Sequence, residues 1–289
     1  MLKRAGAFDW VIGVLMAFVI VVTLYPMYYV FCASISESNR LSQHMGVLLY
    51  PLGFKVGAYR LVFDNPMILR GYMNTLLYVV LGTSLNVAVT ILSAFVLSRK
   101  GLFWGKTLRM LLVVTMFFSG GMIPFYLVVD ALGLNGKWWA VILPYLLNPM
   151  NVVIMRTSFE GVPPSLEESV YIDGAREFTL LTRIIVPLSM PVIAVMILFY
   201  GVGHWNSWFS AMMFIKDRQH FPLQLILREI LIVNSTSDMT TAVESADKAQ
   251  IAESVKYASI VISTLPILCV YPFLQKYFTK GVMIGAIKE

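Results

Sequence analysis

The chain has 289 residues, of which 58% are hydrophobic and 13% are charged, with a net charge of +6 and a mean hydropathy of +0.75. A typical soluble domain is about 25% charged, roughly twice this proportion. The composition therefore excludes most soluble enzymes, disordered proteins and nucleic-acid-binding modules, and it indicates a membrane protein.

Long segments without Asp, Glu, Lys or Arg recur along the chain. About 20 helical residues cross the ~30 Å hydrocarbon core of a bilayer. The sequence therefore predicts an all-α, multi-pass protein with six transmembrane helices, organised as a single transmembrane domain over residues 1–289. The predicted spans are 11–32, 75–97, 110–129, 138–155, 186–205 and 257–275.

The distribution of Lys and Arg between short loops predicts the orientation. Loop 98–109 contains four basic residues and no acidic residue, whereas loop 130–137 contains one residue of each sign. Because short loops rich in Lys and Arg remain in the cytoplasm, both termini are predicted to be cytoplasmic. Segment 156–183 then also faces the cytoplasm, while segments 33–70 and 216–256 lie outside.

The predicted spans contain no Asp, Glu, Lys or Arg, and their one histidine is His204. Ion- and proton-coupled transporters usually place ionisable groups inside the membrane, so this chain lacks the usual coupling groups. It also lacks a glycine-rich phosphate loop and the common metalloprotease and esterase motifs. We therefore expect a subunit that is not itself an enzyme, that binds no cofactor, and that takes energy from a partner.

The predicted cytoplasmic segment 156–183 contains two short helices. Two prolines precede Ser165, and Ser165 and Glu168 have the spacing of a capping box, which predicts a helix start. The pair Asp173-Gly174 is typical of a turn that ends a helix. A second helix is predicted over about 175–182, so the segment forms a helix–turn–helix.

This segment resembles the coupling loop of permease subunits in ATP-binding-cassette importers. The family pattern is Glu-Ala-Ala, three residues, Gly, nine residues, and Ile-x-Leu-Pro. The matching positions, all correctly spaced, are Glu168, Gly174, Ile184 and Pro187. The departures from the pattern are Ser169, Val170 and Val186.

Other parts of the chain are similar to the carbohydrate-uptake branch of this family, and most of all to the second permease subunit of maltose-type and complex-oligosaccharide importers. These parts are Ala58-Tyr59, Asn74-Thr75-Leu76, Ile123-Pro124 and the tail 280–288. The resemblance implies a multi-pass protein of the bacterial cytoplasmic membrane that forms half of a pathway for a sugar or oligosaccharide. It also implies a second, different permease, two cytoplasmic ATPase subunits that bind ATP and Mg²⁺, an extracytoplasmic sugar-binding protein, and no nucleic acid.

The resemblance also assigns the residues that couple the permease to the ATPase. They are Glu168, Ser169, Asp173, Gly174, Ala175 and Pro187. The alternative is that both residues have only a local structural role: Glu168 would cap its helix, and Gly174 would end it. At the level of function, the alternative is a non-transporting membrane scaffold or assembly subunit.

Two further groups of residues are candidates for contacts outside the cytoplasm. Aromatic rings and amides bind sugars, which makes a stretch near the end of span five a candidate pathway lining: His204, Trp205, Asn206 and Trp208. The alternative to a pathway lining is that the tryptophans lie at the membrane interface and that His204 is a packed, hydrogen-bonded side chain. A polar turn is predicted between spans five and six, and it contains Asn234, Ser235, Thr236 and Asp238. It is the candidate contact with the binding protein, and the alternative is a solvated connector.

Overall fold

A computed structural model describes residues 6–240, 254–269 and Pro272, and all regular structure in these residues is helical. The described residues form two compact units. The first comprises 6–69, 227–240 and 254–266, and the second comprises 70–226 and 267–269. The second unit contains the predicted coupling segment and the predicted pathway residues.

Two helices are long and apolar enough to cross a membrane in one piece. They are α1 (Ala7–Ser34) and α4 (Pro66–Ser98). Their most apolar windows have mean hydropathies of 2.3 and 2.0. At 1.5 Å per residue, each exceeds the ~30 Å hydrocarbon core. The helices predicted at 11–32 and 75–97 are confirmed, and α1 exposes apolar side chains along most of its length, as expected of a helix in lipid.

The first unit adds two short helices, α2 (Ser38–Gln43) and α3 (Gly57–Phe63), in the segment after α1. The buried side chains at the end of α1 pack against this segment. They form a small core of Cys32, Ala33, Leu41 and Leu48.

The predicted span 110–129 is not one straight helix. It consists of α5 (Gly105–Phe117) and α6 (Met122–Ala131), whose axes differ by 119°. The break contains two glycines, and Gly121 has a φ of +83°, which other residues rarely adopt. Hydropathy alone did not indicate the break, although the glycine pair was a visible signal.

The predicted span 138–155 is also broken. It begins with two 3₁₀ turns, Trp138–Val141 and Leu143–Tyr145, and continues as α7 (Pro149–Glu160) after a bend of 46°. The side chain of Asn148 accepts a hydrogen bond from the Asn151 N–H and caps α7. An Asn at the N-cap followed by a proline at the first helical position is a strong signal for the start of a helix. The apolar run therefore divides at Pro149.

Four helical pieces form most of the predicted coupling segment and lead into the predicted fifth span. These are α8 (Pro164–Ile172), α9 (Glu177–Leu180), a π-helical turn (Leu181–Ile185) and α10 (Val186–Leu188).

The predicted fifth span corresponds to α11 (Met190–Trp205). An 82° bend separates Glu177–Leu188 from α11 at Ser189. Pro191 cannot donate a hydrogen bond to the carbonyl four residues earlier, and its ring clashes with that carbonyl, which explains the bend. The predicted start at residue 186 is therefore four residues early, and the helix predicted over 175–182 continues to Leu188.

Three further helices follow. They are α12 (Trp208–Phe214), α13 (Leu223–Thr240) and α14 (Ser254–Cys269). By length and composition, the described residues thus contain two unbroken candidate spans, or up to five if each bent pair crosses once. Helix α14 is apolar but shorter, and most of the rest of predicted span 257–275 lies outside the described residues.

One buried cluster joins the helices of the second unit. It packs the coupling segment against α4, α7 and α11 through Ala94, Phe159, Val170, Leu180, Ile185 and Tyr200. This core gives the coupling segment a direct contact with the helices that surround the predicted pathway.

Candidate functional site

Helix α8 of the predicted coupling segment starts two residues earlier than the capping-box pattern predicts. Its N-cap is Pro163, which makes no side-chain cap, and Pro164 occupies the first helical position. The ring of Pro164 fixes a helical φ, so Ser165 already lies inside the helix. The predicted capping box of Ser165 and Glu168 is therefore wrong.

The end of α8 agrees with the prediction. Gly174 has a φ of +70°, the left-handed conformation typical of the residue after a helix. Its N–H donates to the Tyr171 carbonyl at 3.0 Å, and the Ala175 N–H donates to the Val170 carbonyl at 3.1 Å. These two bonds define a Schellman motif, which fixes the direction of the chain after Asp173.

An ion pair that the sequence did not predict anchors α8. The Arg99 Nη1 lies 2.9 Å from the Glu167 Oε2, and both side chains are mostly buried, with 19% and 25% of their surface exposed. The guanidinium also donates to the Ser98 hydroxyl and lies 4.6 Å from the centroid of the Phe95 ring. The acidic side chain that holds α8 against the end of α4 is therefore Glu167, the neighbour of the predicted Glu168.

The predicted coupling residues Glu168, Ser169 and Asp173 lie on the exposed surface of the segment. Apolar and aromatic side chains are exposed beside them: Ile172 is 85% exposed and Phe178 is 70% exposed. An exposed apolar group of this kind, rimmed by acidic residues, is typical of a surface that binds another protein.

One hydrogen bond at this surface and one packing contact beneath it hold the segment in place. The Tyr171 hydroxyl donates to the Glu177 carboxylate at 2.6 Å, and this hydrogen bond raises the pKa of Tyr171. Ala175 packs against the buried core, whereas Pro187 lies in α10 and is exposed. The six predicted coupling residues thus lie in α8, in the turn that follows it and in α10, and of these six Ala175 is the one that packs against the core.

A second candidate site is a cavity of about 670 Å³ in the same unit. Its walls come from the 3₁₀ turns before α7, the first turn of α7, and the region where α11 meets α12. Polar and aromatic residues line most of it: Tyr145, Asn148, Asn151, Phe199, Tyr200, His204, Asn206, Ser207, Phe209 and Ser210. The break between the 3₁₀ turns and α7 therefore forms one wall of the cavity.

The predicted pathway residue His204 lies at the cavity wall but has a structural partner. Its Nε2 lies 2.7 Å from the Asn86 Oδ1. The Asn86 amide nitrogen donates to the carbonyls of Tyr145 and Leu146, at 2.6 and 2.8 Å, so its oxygen must accept from His204. A Cβ at Gly82 would collide with the His204 ring. No pattern in the sequence indicated the contact between Asn86 and His204.

The other predicted pathway residues separate into two groups. Asn206 lines the cavity, and its amide nitrogen donates to the Val202 carbonyl at 3.0 Å. Trp205 is 6% exposed and packs against the Tyr72 ring, and Trp208 packs against the core near Tyr78. The two tryptophans are therefore packing residues in the described structure.

Asn151 is the cavity residue that sequence reasoning missed. Only 6% of it is exposed, it lines the cavity, and its side-chain amide makes no hydrogen bond with the described residues. Nearby, the Tyr200 hydroxyl is paired with the Thr90 hydroxyl at 2.7 Å. A polar residue two positions after Pro149, within a predicted span, was the available signal.

The residues proposed to contact a binding protein lie on α13, which runs through to Thr240. The polar turn predicted at 234–238 is therefore wrong in its local structure, since α13 continues across it. The side chains of Asn234, Ser235, Thr236 and Asp238 lie outside the described part of the structure, as does the tail 280–288. The described residues contain no cluster of three or more His, Cys, Asp or Glu that could hold a metal ion.

Comparison with known proteins identifies relatives along nearly the whole chain, although no family model matches it. Protein LplC of Bacillus subtilis is 41% identical over 92% of this chain and 90% of LplC. The polygalacturonan/rhamnogalacturonan transport system permease protein YtcP, also of Bacillus subtilis, is 37% identical over 97% of this chain and 98% of its own. The maltodextrin transport system permease protein MalD of Streptococcus pneumoniae is 27% identical over 75% of this chain and 74% of its own.

A solved structure gives the same result for the fold. One chain of a bacterial ATP-binding-cassette transporter involved in the import of the acidic polysaccharide alginate matches with a TM-score of 0.85 and 29% identity. The match covers 96% of this chain and 99% of the solved chain.

Proposed function

Because the chain belongs to the family of permease subunits of ATP-binding-cassette sugar importers, we propose that it forms half of the pathway of an oligosaccharide importer in the bacterial cytoplasmic membrane. Its named relatives transport polygalacturonan and rhamnogalacturonan or maltodextrin, and the solved transporter imports alginate. A non-transporting scaffold would not explain likeness to permeases over nearly the full length.

We further propose six spans with both termini in the cytoplasm. The two unbroken helices, the three bent pairs and the apolar α14 supply six candidate crossings. The four basic residues of loop 98–109 favour a cytoplasmic position for the end of α4. Bends inside spans are tolerated where the freed backbone lines a cavity or packs against protein, as the wall of the 670 Å³ cavity does.

The coupling segment is proposed to bind a cytoplasmic ATPase subunit. The exposed side chains of Ile172 and Phe178 supply an apolar contact, and the Schellman motif at Gly174 holds them in a fixed arrangement. The ion pair between Arg99 and Glu167 transmits displacement of α8 to α4. ATP and Mg²⁺ are bound by the two ATPase subunits in this proposal, and this chain supplies no nucleotide site.

The remaining partners follow from the same family membership. A second, different permease completes the pathway, and an extracytoplasmic sugar-binding protein delivers the substrate to the outer surface. The segment 234–238 is proposed to contact that binding protein, and the tail 280–288 to reach the ATPase subunits.

Reconstitution tests this proposal directly. The chain, its partner permease, the two ATPase subunits and the binding protein are placed in proteoliposomes, and uptake of labelled oligosaccharides is measured with ATP inside. We expect ATP-dependent uptake by the complete complex and no ATP hydrolysis by this chain alone. Robust hydrolysis by the isolated chain, or uptake without the ATPase subunits, would contradict the proposed function.

A further inference from the structure

The cavity beside α7 is lined by an amide side chain that makes no hydrogen bond with the described residues. Asn151 is 6% exposed as a whole residue and lines the cavity, and its backbone N–H is bonded to the Asn148 side chain. The amide group is not among the fully buried polar atoms, so it is reached from the cavity. Its donors and its acceptor are therefore available to a molecule that enters the cavity.

The neighbours of Asn151 have the chemistry of a sugar site. Phe199 and Phe209 line the cavity and are 46% and 43% exposed, so their rings are available to stack on C–H surfaces. The oxygen of Asn206 and the side chain of Ser210 supply further polar groups. The volume of about 670 Å³ lies within the range of about 300–1,000 Å³ that is typical of small-ligand pockets.

The lining contains no Asp, Glu, Lys or Arg. A site that recognises a uronate carboxylate usually supplies Arg or Lys, because a charged acceptor needs a charged donor. An amide instead offers two donors and one acceptor, which match a pair of neighbouring hydroxyl groups. The absence of charge in this lining therefore favours hydroxyl groups over carboxylates.

We propose that this cavity is a saccharide subsite that binds an uncharged, hydroxyl-bearing face of a pyranose ring, with the Asn151 amide bonded to neighbouring hydroxyls. The proposal rests on the proposed function, and it gives this subunit a direct part in substrate recognition. If the imported oligosaccharide is acidic, its carboxylates face away from this wall.

The test uses the complete importer in proteoliposomes and a panel of neutral and uronate oligosaccharides of three to four sugar units. Asn151→Leu keeps the approximate shape of the side chain and removes both hydrogen-bonding groups. We expect the KM for uptake to rise about tenfold, the effect of losing one to two hydrogen bonds, with a much smaller change in the maximal uptake rate. The matched control is Thr157→Val on the same helix, whose hydroxyl bonds only to the Val153 carbonyl, and its KM should not change.

A second variant tests the uncharged face. Asn151→Asp places a negative charge in the cavity, and we expect similar losses for neutral and uronate substrates. Loss confined to uronates would overturn the uncharged-face proposal, because it would place a carboxylate at this wall. An unchanged KM for Asn151→Leu would overturn the subsite itself, and if that variant fails to assemble, the smaller change Asn151→Ser is measured instead. Absence of uptake of the whole panel by the unaltered complex would contradict the proposed function and not this subsite.

Discussion

The coupling segment and the cavity share one hydrophobic core but present opposite kinds of surface. In the coupling segment, the apolar side chain of Ile172 is 85% exposed, while Val170, two residues earlier, is buried in the core. In the cavity, the polar side chain of Asn151 is 6% exposed, while the aromatic rings of Phe199 and Phe209 are open. The coupling segment exposes an apolar side chain on a convex surface, whereas the cavity places an amide among aromatic rings inside a recess.

This difference indicates the kind of partner that each region binds. Exposed apolar side chains gain free energy when another protein covers them, at about 25 cal/mol per Å². An amide at a cavity wall favours a ligand whose hydrogen-bonding groups match its donors and its acceptor in geometry. We infer that the coupling segment is specific for a protein surface, and that the cavity is specific for a small hydroxylated molecule.

The largest expected effect comes from Gly174→Asp in the coupling segment. No atom lies within 4 Å of a Cβ at this glycine, so the substitution meets no steric barrier in the isolated chain. The left-handed φ costs a non-glycine residue about 1–2 kcal/mol. An unpaired carboxylate covered by the ATPase would cost about 3 kcal/mol more, which is roughly a hundredfold weaker docking. We expect uptake to be abolished while membrane insertion and pairing with the other permease persist.

Gly174→Asn is the matched control, because Asn tolerates the left-handed conformation and has nearly the shape of Asp without the charge. Uptake and co-purification of the ATPase subunits with each variant are measured. Asn should retain much of the activity that Asp loses. Normal uptake by the Asp variant would show that no protein covers this turn, and the contrast between the two regions would fail.

The two regions also differ in how far the sequence predicted them. The coupling segment was found because its signals are local: a glycine after a helix and a fixed spacing to Pro187. The cavity was found only in part, because Asn86, Asn151 and His204 are far apart in sequence and meet through tertiary packing. The counting of uncharged residues predicted where apolar segments lie, but it could not indicate the breaks at Gly121 and Ser189. The first break depends on the positive φ of Gly121, and the second depends on the hydrogen bond that Pro191 cannot donate.

A smaller effect is expected from reversing the ion pair that joins α8 to α4. Arg99→Glu and Glu167→Arg each place like charges together at a partly buried site. Because both groups remain partly exposed, we expect each single variant to cost about 1 kcal/mol, or roughly a fivefold loss of sugar taken up per ATP hydrolysed. The double variant restores opposite charges and should recover part of that loss, although the contact of Arg99 with the Phe95 ring is not restored.

This measurement separates transmission from folding. Thermal unfolding of the complex is recorded beside the ratio of uptake to hydrolysis for both single variants and the double variant. A lower ratio with similar stability supports transmission of force through the pair. Equal loss of uptake and stability, with no recovery in the double variant, would reduce the pair to a fold-stabilising contact.

The smallest effect is expected from Glu168→Ala. Glu168 lies inside α8 and does not cap it, and it has no partner among the described residues, so its removal should change stability by less than about 0.5 kcal/mol. A defect in uptake would therefore report a contact with the ATPase. We expect a twofold to fivefold loss, the effect of one exposed charge at the rim of an interface.

Glu160→Ala, at the end of α7, is the control for loss of an acidic side chain. Glu160 is paired with Arg156 at 3.0 Å, so the variant should lower stability slightly and leave uptake unchanged. If both variants transport normally, the apolar side chains and Gly174 carry the docking, and the acidic position of the motif is dispensable in this chain. If only Glu168→Ala is impaired, the ATPase binds a surface that combines this carboxylate with Ile172, which sharpens the contrast with the uncharged cavity.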